Sequence, residues 1–497
     1  MPLTLSRRLV GTALITGLGF AAGTANASGT ATVTGTTQGV TPFIGAVSAT
    51  IGGATLISVT TTVQPIVGSY TRPLIAQFST AYLARTGRIS GTQVTVPLTF
   101  LYAARTNTIA LLFKFTDGSS VTTSASISTP TFSSTCAGLA TPNIQQNRTS
   151  IADLGFDYFI LKDYCSNQTP VIVDTDGQAR WVGTANTAVQ DVAFYQNSVY
   201  SSNGGTGINR INLDGTIQFV TDLASAGVTG FHHNIDPGRD GLIIDVNTTT
   251  QTESVNIEFS PKTGAILNRW DLADIISTAM VAGGDDPSKF VFPVGTDWFH
   301  NNATTYNKAD NTLIVSSREN FVIAVDYDTP ADGVKKVHWI LGDPTKHWAQ
   351  YASLRKYALT IANGAPAPIG QHAVSIDHLG NVLLFNDGGA SFTQQPAGAS
   401  RSYSIGQAFK IDTVAMTATQ TINYTDYSKS SYICGSFYEG YPGYYLIDYA
   451  QEQAGNTELR GIGTRQKVIF DIKYPLTGTC AEAWNSAPIK GHTLVFH

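Results

Sequence analysis

The nine histidines of this chain are unevenly placed. Three groups recur in similar surroundings: Phe231-His232-His233, Trp298-Phe299-His300 and Gly370-Gln371-His372. Each stands just ahead of a turn and a very apolar segment. Eight residues separate His233 from Gly241, and the same number separate His372 from Gly380. An isolated histidine at a strand start is ordinarily a hydrogen-bonded structural residue. Packing alone does not ask for the same titratable type three times, so three imidazoles in register form a candidate site. His338, His347, His378, His492 and His497 lack that register and read as structural or surface residues.

Polar groups suited to an anion lie close by in sequence. Asn302 follows His300 by two residues and on an extended segment would share its face. Arg318 ends the run Ile314-Val-Ser-Ser-Arg318, an otherwise buried strand, and Arg401 is a weaker candidate because a lone arginine is usually a surface cation. A guanidinium offers a planar fork of donors to a tetrahedral oxyanion and stays charged at any working pH. Imidazoles with arginine therefore suggest group transfer, with one imidazole as nucleophile and another as acid and base. Three imidazoles also suit a metal, as in propeller hydrolases or lyases. Such sites usually recruit carboxylates, and the aspartates here fall mostly in turns, so no metal and no cofactor is expected. A propeller that only presents its rim to a glycan or protein would need no convergent histidines.

Residues far apart in sequence need a scaffold that brings them to one place. From residue 131 to 497 two hairpin patterns alternate. One is a strand, a turn at Asp or Gly, and a strand ending in an aromatic residue. It reads Val171-Ile-Val-Asp-Thr-Asp-Gly-Gln-Ala-Arg-Trp181, then Ile211-Asn-Leu-Asp-Gly-Thr-Ile-Gln-Phe219, and recurs at 257–270, 324–339 and 408–424. The other has a Gly or Asn turn before a very apolar strand, as in Gly380-Asn-Val-Leu-Leu-Phe385. Alternating hairpins of this kind predict four-stranded sheets repeated radially, an all-β propeller of about six blades with roughly 40–60 residues each. Equivalent strand starts on different blades then converge on the central channel. Short helices are predicted near 271–281 and 353–361. Residues 28–130 read as short alternating strands, including 55–67, 93–99 and 107–115, and predict a small β-sandwich without chemistry.

Arg7 and Arg8, the apolar run 9–22 and Ala25-Asn26-Ala27 predict a signal peptide over 1–27, removed on export to the periplasm or medium. That run is too short for a membrane span. Four cysteines, Cys136, Cys165, Cys434 and Cys480, suit two disulfides in an exported protein. Pairing by proximity is simplest, and three connectivities remain open. Charged residues make up only 13 % of the chain and net charge is −5, with no long basic run, so no nucleic-acid partner is expected.

At these same residues the sequence resembles the bacterial arylsulfate sulfotransferases that use no adenylyl-sulfate donor. The resemblance is carried by Asp297-Trp-Phe-His-Asn-Asn302, Ile314-Val-Ser-Ser-Arg318, Trp339-Ile-Leu-Gly342, Gln371-His372 and Phe385-Asn-Asp-Gly388. Weaker matches are Asp174-Thr-Asp-Gly-Gln-Ala-Arg-Trp181 and Val96-Pro-Leu-Thr-Phe-Leu-Tyr-Ala-Ala-Arg-Thr-Asn107. The resemblance implies an N-terminal β-sandwich before a six-bladed propeller, commonly dimeric and periplasmic. It also implies ping-pong transfer of a sulfuryl group from an aryl sulfate to a phenol through a sulfated histidine. By position, His372 is the nucleophile, while His300, Asn302 and Arg318 hold the sulfate or assist the leaving group. One of His232 and His233 supplies the remaining imidazole, with the glycine register favouring His233. Two departures stand out: Cys434 or a neighbour falls where the family often has a threonine, and His232-His233-Asn234 replaces a commoner His-His-Asp.

Overall fold

A computed structural model describes residues 28–497, so the export signal read over 1–27 lies outside the described residues. Strands dominate, as the short apolar alternations require. Two sheets come from the first hundred described residues: Thr30–Gln38, Gly45–Gly52, Gln93–Leu98 and Ile89–Ser90 form one. Leu74–Ser79, Leu56–Val63, Thr106–Phe115 and Ser120–Ser128 form the other. Along Thr106–Phe115 every second side chain is buried, and Ile109, Leu111, Phe113 and Phe115 pack between the sheets with Val47, Val59 and Val96. Each such aliphatic or aromatic side chain stabilises the fold by roughly 1.5–3 kcal/mol. The strand Thr493–Phe496, read as part of the second unit, instead pairs in parallel with Leu74–Ser79 of the first.

Six further sheets use residues 143–489 and build the propeller. Their innermost strands are β1 (Val192–Tyr195), β2 (Val228–Pro237), β3 (Asn301–Asn307), β4 (His372–Ile376), β5 (Ser436–Tyr441) and β6 (Trp484–Ile489). Neighbours in this series touch, β1 on β2 through to β5 on β6. Four of the sheets run outward in sequence order from their innermost strand. The ring is closed differently. Strand β6 is the inner edge of the sheet made by 158–182, and Asn143–Gln146 is the outer edge of the sheet made by 436–475.

The aromatic endings of the outer hairpins now have a physical reason. Trp181 Nε1 donates to Leu213 O at 3.1 Å and Trp270 Nε1 donates to Asp326 O at 3.0 Å, in each case in the next sheet. A large indole thus fills the wedge between two sheets and satisfies its own N–H there. Phe219 lacks such a donor and lies 64 % exposed. The weaker motif pair is a joint between units. The Arg180 guanidinium pairs with Asp174, donates to Phe100 O at 2.6 Å, and lies 3.5 Å over the Tyr102 ring.

Two inserted helices lie where they were expected. Helix α1 (Leu272–Ala282) is capped by Asp271, which accepts from Ala273 N and Asp274 N. Leu272, Ile275, Ile276, Ala279 and Met280 make its buried stripe. A single turn, Ala352–Arg355, packs on it. No helix among the described residues is long and apolar enough to cross a membrane.

Candidate active site

The apolar segments following the histidines are the second strands of their sheets, and the histidines lie on the innermost strands or at their very edge. His233 is inside β2, His300 immediately precedes β3, and His372 opens β4. Ordinary alternation does not aim them. Pairing with the second strand slips between Phe231 and Ile235, between Asn301 and Ala303, and between His372 and Ser375. At those bulges the backbone turns left-handed at non-glycine residues, with φ of 60° at His233, 53° at His300 and 58° at Ala373. A bulge places an extra residue on one edge and re-aims its side chain, a device found beside active sites. Three sheets use it at one height, so three imidazoles meet.

The meeting place is the channel around Trp484. The ring centroids of His233 and His300 lie 4.8 Å apart, His233 and Trp484 5.0 Å, and His372 and Trp484 6.5 Å. Trp484 enters on the closing strand β6. Nothing in the repeat pattern singled it out, because β6 reaches its sheet only by ring closure.

His372 and Asp387 are both buried, and Asp387 Oδ2 lies 2.8 Å from His372 Nδ1. Gly370 O lies 3.1 Å from the same nitrogen, so Nδ1 is the protonated atom, facing two acceptors. The lone pair then sits on Nε2, toward which Cys434 N–H points from 3.4 Å. Burial raises the Asp387 pKa, against the pull of His372 and then Arg318. Asp387 belongs to the Phe385-Asn-Asp-Gly388 run, and its partner became identifiable only once His372↔Phe385 was fixed as the register.

Arg318 is 1 % exposed. Its Nη1 donates to Glu319 Oε1 at 2.9 Å and its Cζ lies 3.3 Å from the centre of the Phe392 ring. Nε and Nη2 find no partner among the described residues. Burial lowers its pKa, opposed by Glu319, Asp387 and Asp297. Glu319 also accepts from the backbone N–H of Phe392, Thr393 and Gln394, fixing the loop that lies over the guanidinium. Behind them Lys346 Nζ donates to Arg318 O and Glu319 O, and burial brings its pKa down to about 7.

On the other side of the channel His300 Nδ1 lies 2.5 Å from Asp297 Oδ2 and 2.9 Å from Glu253 Oε2. Burial works against charge on His300, yet the two carboxylates raise its pKa to about 10. The Nδ1 atoms of His232 and His233 are 2.7 Å apart, and Glu253 Oε2 is 3.9 Å from each. Burial lowers the pKa of both, His233 further than His232. Both members of the pair therefore lie at the site, and His233 is the one stacked toward His300 and Trp484. The view that carboxylates are missing from the imidazoles is overturned, since Glu253 and Asp297 both face them. Glu253 escaped notice because it lies in the loop 249–254, with a left-handed φ of 46°, outside the repeats.

Asn302 does not follow His300 on a plain extended segment. Its Nδ2 donates to Gln371 O at 2.8 Å, tying β3 to the start of β4, while its Oδ1 has no partner among the described residues. Arg401 is turned to Asn386 Oδ1 and to Ala367 O, and so braces a loop. His338 and His378 pair with Asp326 and Glu439 near the surface. The cysteines pair by proximity, Cys136 with Cys165 and Cys434 with Cys480. A cavity of about 640 Å³, lined by Lys162, Asp236, Tyr438 and Lys490, opens elsewhere, toward the far ends of the innermost strands. Lys162 bonded to Asn234, and Asn234 bonded to Asn302 O at 3.1 Å, stand between it and the histidines.

Comparison with known proteins bears on this arrangement. Arylsulfate sulfotransferase AssT of Escherichia coli O6:H1 is 25 % identical over 276 residues, covering 50 % of this chain and 42 % of its own. The enzyme of the same name from Lelliottia amnigena is 25 % identical over 216 residues, covering 35 % of this chain and 34 % of its own. The chain thus spans less than half the length of these curated relatives. A solved structure from Bacteroides thetaiotaomicron, of unknown function, aligns over 89 % of this chain and 98 % of its own at 12 % identity, with a TM-score of 0.35. The model of the family described as Arylsulfotransferase (ASST) matches residues 144–479, the stretch that contributes every imidazole, carboxylate and guanidinium described above. The chain belongs to the arylsulfotransferase family.

Proposed function

We propose that this protein transfers a sulfuryl group from an aryl sulfate to a phenol by a ping-pong route through sulfated His372. The observation that carries this reading is a buried Arg318 with two free N–H donors, in the electrostatic reach of an Asp387–His372 pair. A buried cation with unused donors is costly unless an anion completes it. A sulfate monoester supplies such an anion.

A sulfate ester repels anionic nucleophiles, whereas neutral imidazole carries no charge to be repelled. His372 Nε2 attacks sulfur, the S–O bond to the aryl group breaks, and its electron pair leaves with the phenolate. Asp387 on Nδ1 balances the positive charge that develops on the ring. Arg318 Nε and Nη2 hold the sulfuryl oxygens. His300, its Nδ1 fixed by Asp297, gives the phenolate a proton. In the second half-reaction it recovers a proton from the incoming phenol, whose oxygen attacks sulfur while the S–N bond breaks. His233 and Asn302 border the same space and shape the substrate site. Two disulfides support a periplasmic or secreted location.

The test is release of a chromogenic phenol from its sulfate ester, with and without a second phenol. Release that depends on the acceptor, and is abolished in both half-reactions by His372→Asn, is expected. Release indifferent to the acceptor would mean a sulfatase. Full activity of the His372 variant would end the mechanism.

A further inference from the structure

The histidine pair and Glu253 form a group that sulfuryl transfer through His372 does not use. A single proton shared between His232 Nδ1 and His233 Nδ1 accounts for their 2.7 Å separation. It leaves Glu253 Oε2 unexplained. That oxygen is buried and makes no hydrogen bond among the described residues. The nearest donor, His300 Nδ1, stands 2.9 Å away, but its one proton is committed to Asp297 at 2.5 Å. An ionised oxygen without a partner in a buried polar cluster calls for an explanation, and an ion is one of the ordinary ones.

The distances fit one. Glu253 Oε2 is equally far, 3.9 Å, from the two nitrogens. The point equidistant from all three atoms lies about 2.1 Å from each, matching the bond lengths of zinc to imidazole nitrogen and carboxylate oxygen. The arrangement also resembles the two-histidine, one-carboxylate donor set of open metal sites, which keep further positions for water or substrate. His232 and His233 are 9 % and 4 % exposed, and His232 Nε2 has no other partner among the described residues. The left-handed backbone at both His233 and Glu253 aims these side chains at each other, at a cost of order 1–3 kcal/mol each.

The geometry points to a divalent transition-metal site made by His232 Nδ1, His233 Nδ1 and Glu253 Oε2, taking a cation of the zinc or cobalt class. His300 and Trp484 border His233 on its channel side, so an ion here would add positive charge to the wall of the substrate channel.

Full-length protein, stripped with a chelator and dialysed, is titrated with cobalt(II) and then with zinc. Visible d–d absorption measures cobalt, and elemental analysis measures zinc. One equivalent of cobalt with a saturable visible band, displaced by one equivalent of zinc, is expected. Glu253→Gln and His232→Gln should each weaken binding about a hundredfold, whereas Asp387→Asn, at the His372 side of the channel, should bind as the parent does. Thermal unfolding of each variant establishes that it is folded. Failure of the unaltered protein to bind one equivalent overturns the site without any variant. Binding that all variants retain equally means an adventitious ion only, and overturns it too. The titration reads no sulfuryl transfer, so its failure and the failure of the His372 mechanism are separate results.

Discussion

Replacing Asp387 with asparagine tests the electrostatics of the site most directly. The substitution preserves shape and leaves an amide oxygen able to accept from His372 Nδ1–H, so the neutral tautomer survives. What disappears is a negative charge 2.8 Å from the ring, between two side chains that are 1 % and 0 % exposed. At an effective dielectric constant of 20 the bare Coulomb term at that distance is about 6 kcal/mol, which is a ceiling. Hydrogen bonds to charged groups contribute about 1.5–3 kcal/mol net, which converts to roughly 10- to 150-fold in rate. The sulfated ring carries more positive charge than the free one, so the loss should fall on kcat and leave KM nearly unchanged. Stopped-flow release of a chromogenic phenol reports the first half-reaction, and decay of the sulfated enzyme on adding acceptor reports the second. Both should slow by that factor. Asparagine also imitates a neutral aspartic acid. A variant within threefold of the parent would therefore show that Asp387 is uncharged in the working enzyme, and the charge argument would fall.

Arg318→Lys keeps a cation but loses the planar fork and the face resting on Phe392. It should lower kcat/KM for aryl sulfates about 10- to 100-fold, and an unchanged value would remove Arg318 from the sulfate. Lys346 has its pKa lowered to about 7, so between pH 7 and its unfolded value near 10.5 the unfolded chain binds the extra proton. Stability therefore gains from this group as pH rises from 7 to 9, by about 1–3 kcal/mol. Denaturant unfolding of Lys346→Met should show that much less gain over the interval, and parallel curves would refute the shift. Cys480→Ala opens a disulfide spanning 46 residues, which loop closure values at about 4 kcal/mol. Thermal unfolding should shift down, and phenol release should slow because Cys434 N–H faces His372 Nε2; normal kinetics would separate the disulfide from the site.

Much of the molecule was legible in sequence because strand alternation and hairpin turns are local. The outer hairpins at 211–219 and 257–270 repeat a pattern that any such sheet must have, and three histidines kept one distance from their turns. Local pattern cannot report what neighbouring sheets contribute. Glu253 lies in an irregular loop, and Trp484 arrives on a strand paired to a sheet more than 300 residues away in sequence. The bulges were likewise invisible, since period-two alternation assumes the regular strand that they interrupt. Asn302 shows the consequence, because its assigned face belonged to a segment that is not regular.

Ring closure by β6 has one more consequence. The same short segment carries Trp484 into the channel, follows Cys480 of the disulfide, and leads to the strand that pairs with the N-terminal sandwich. Catalytic competence is therefore tied to the last stitch of the circle. A chain with its first five innermost strands in place would own His233, His300 and His372, yet lack the indole that packs beside two of them. Sulfuryl transfer would then report topological completion, and the protein would become reactive only once its circumference is sealed.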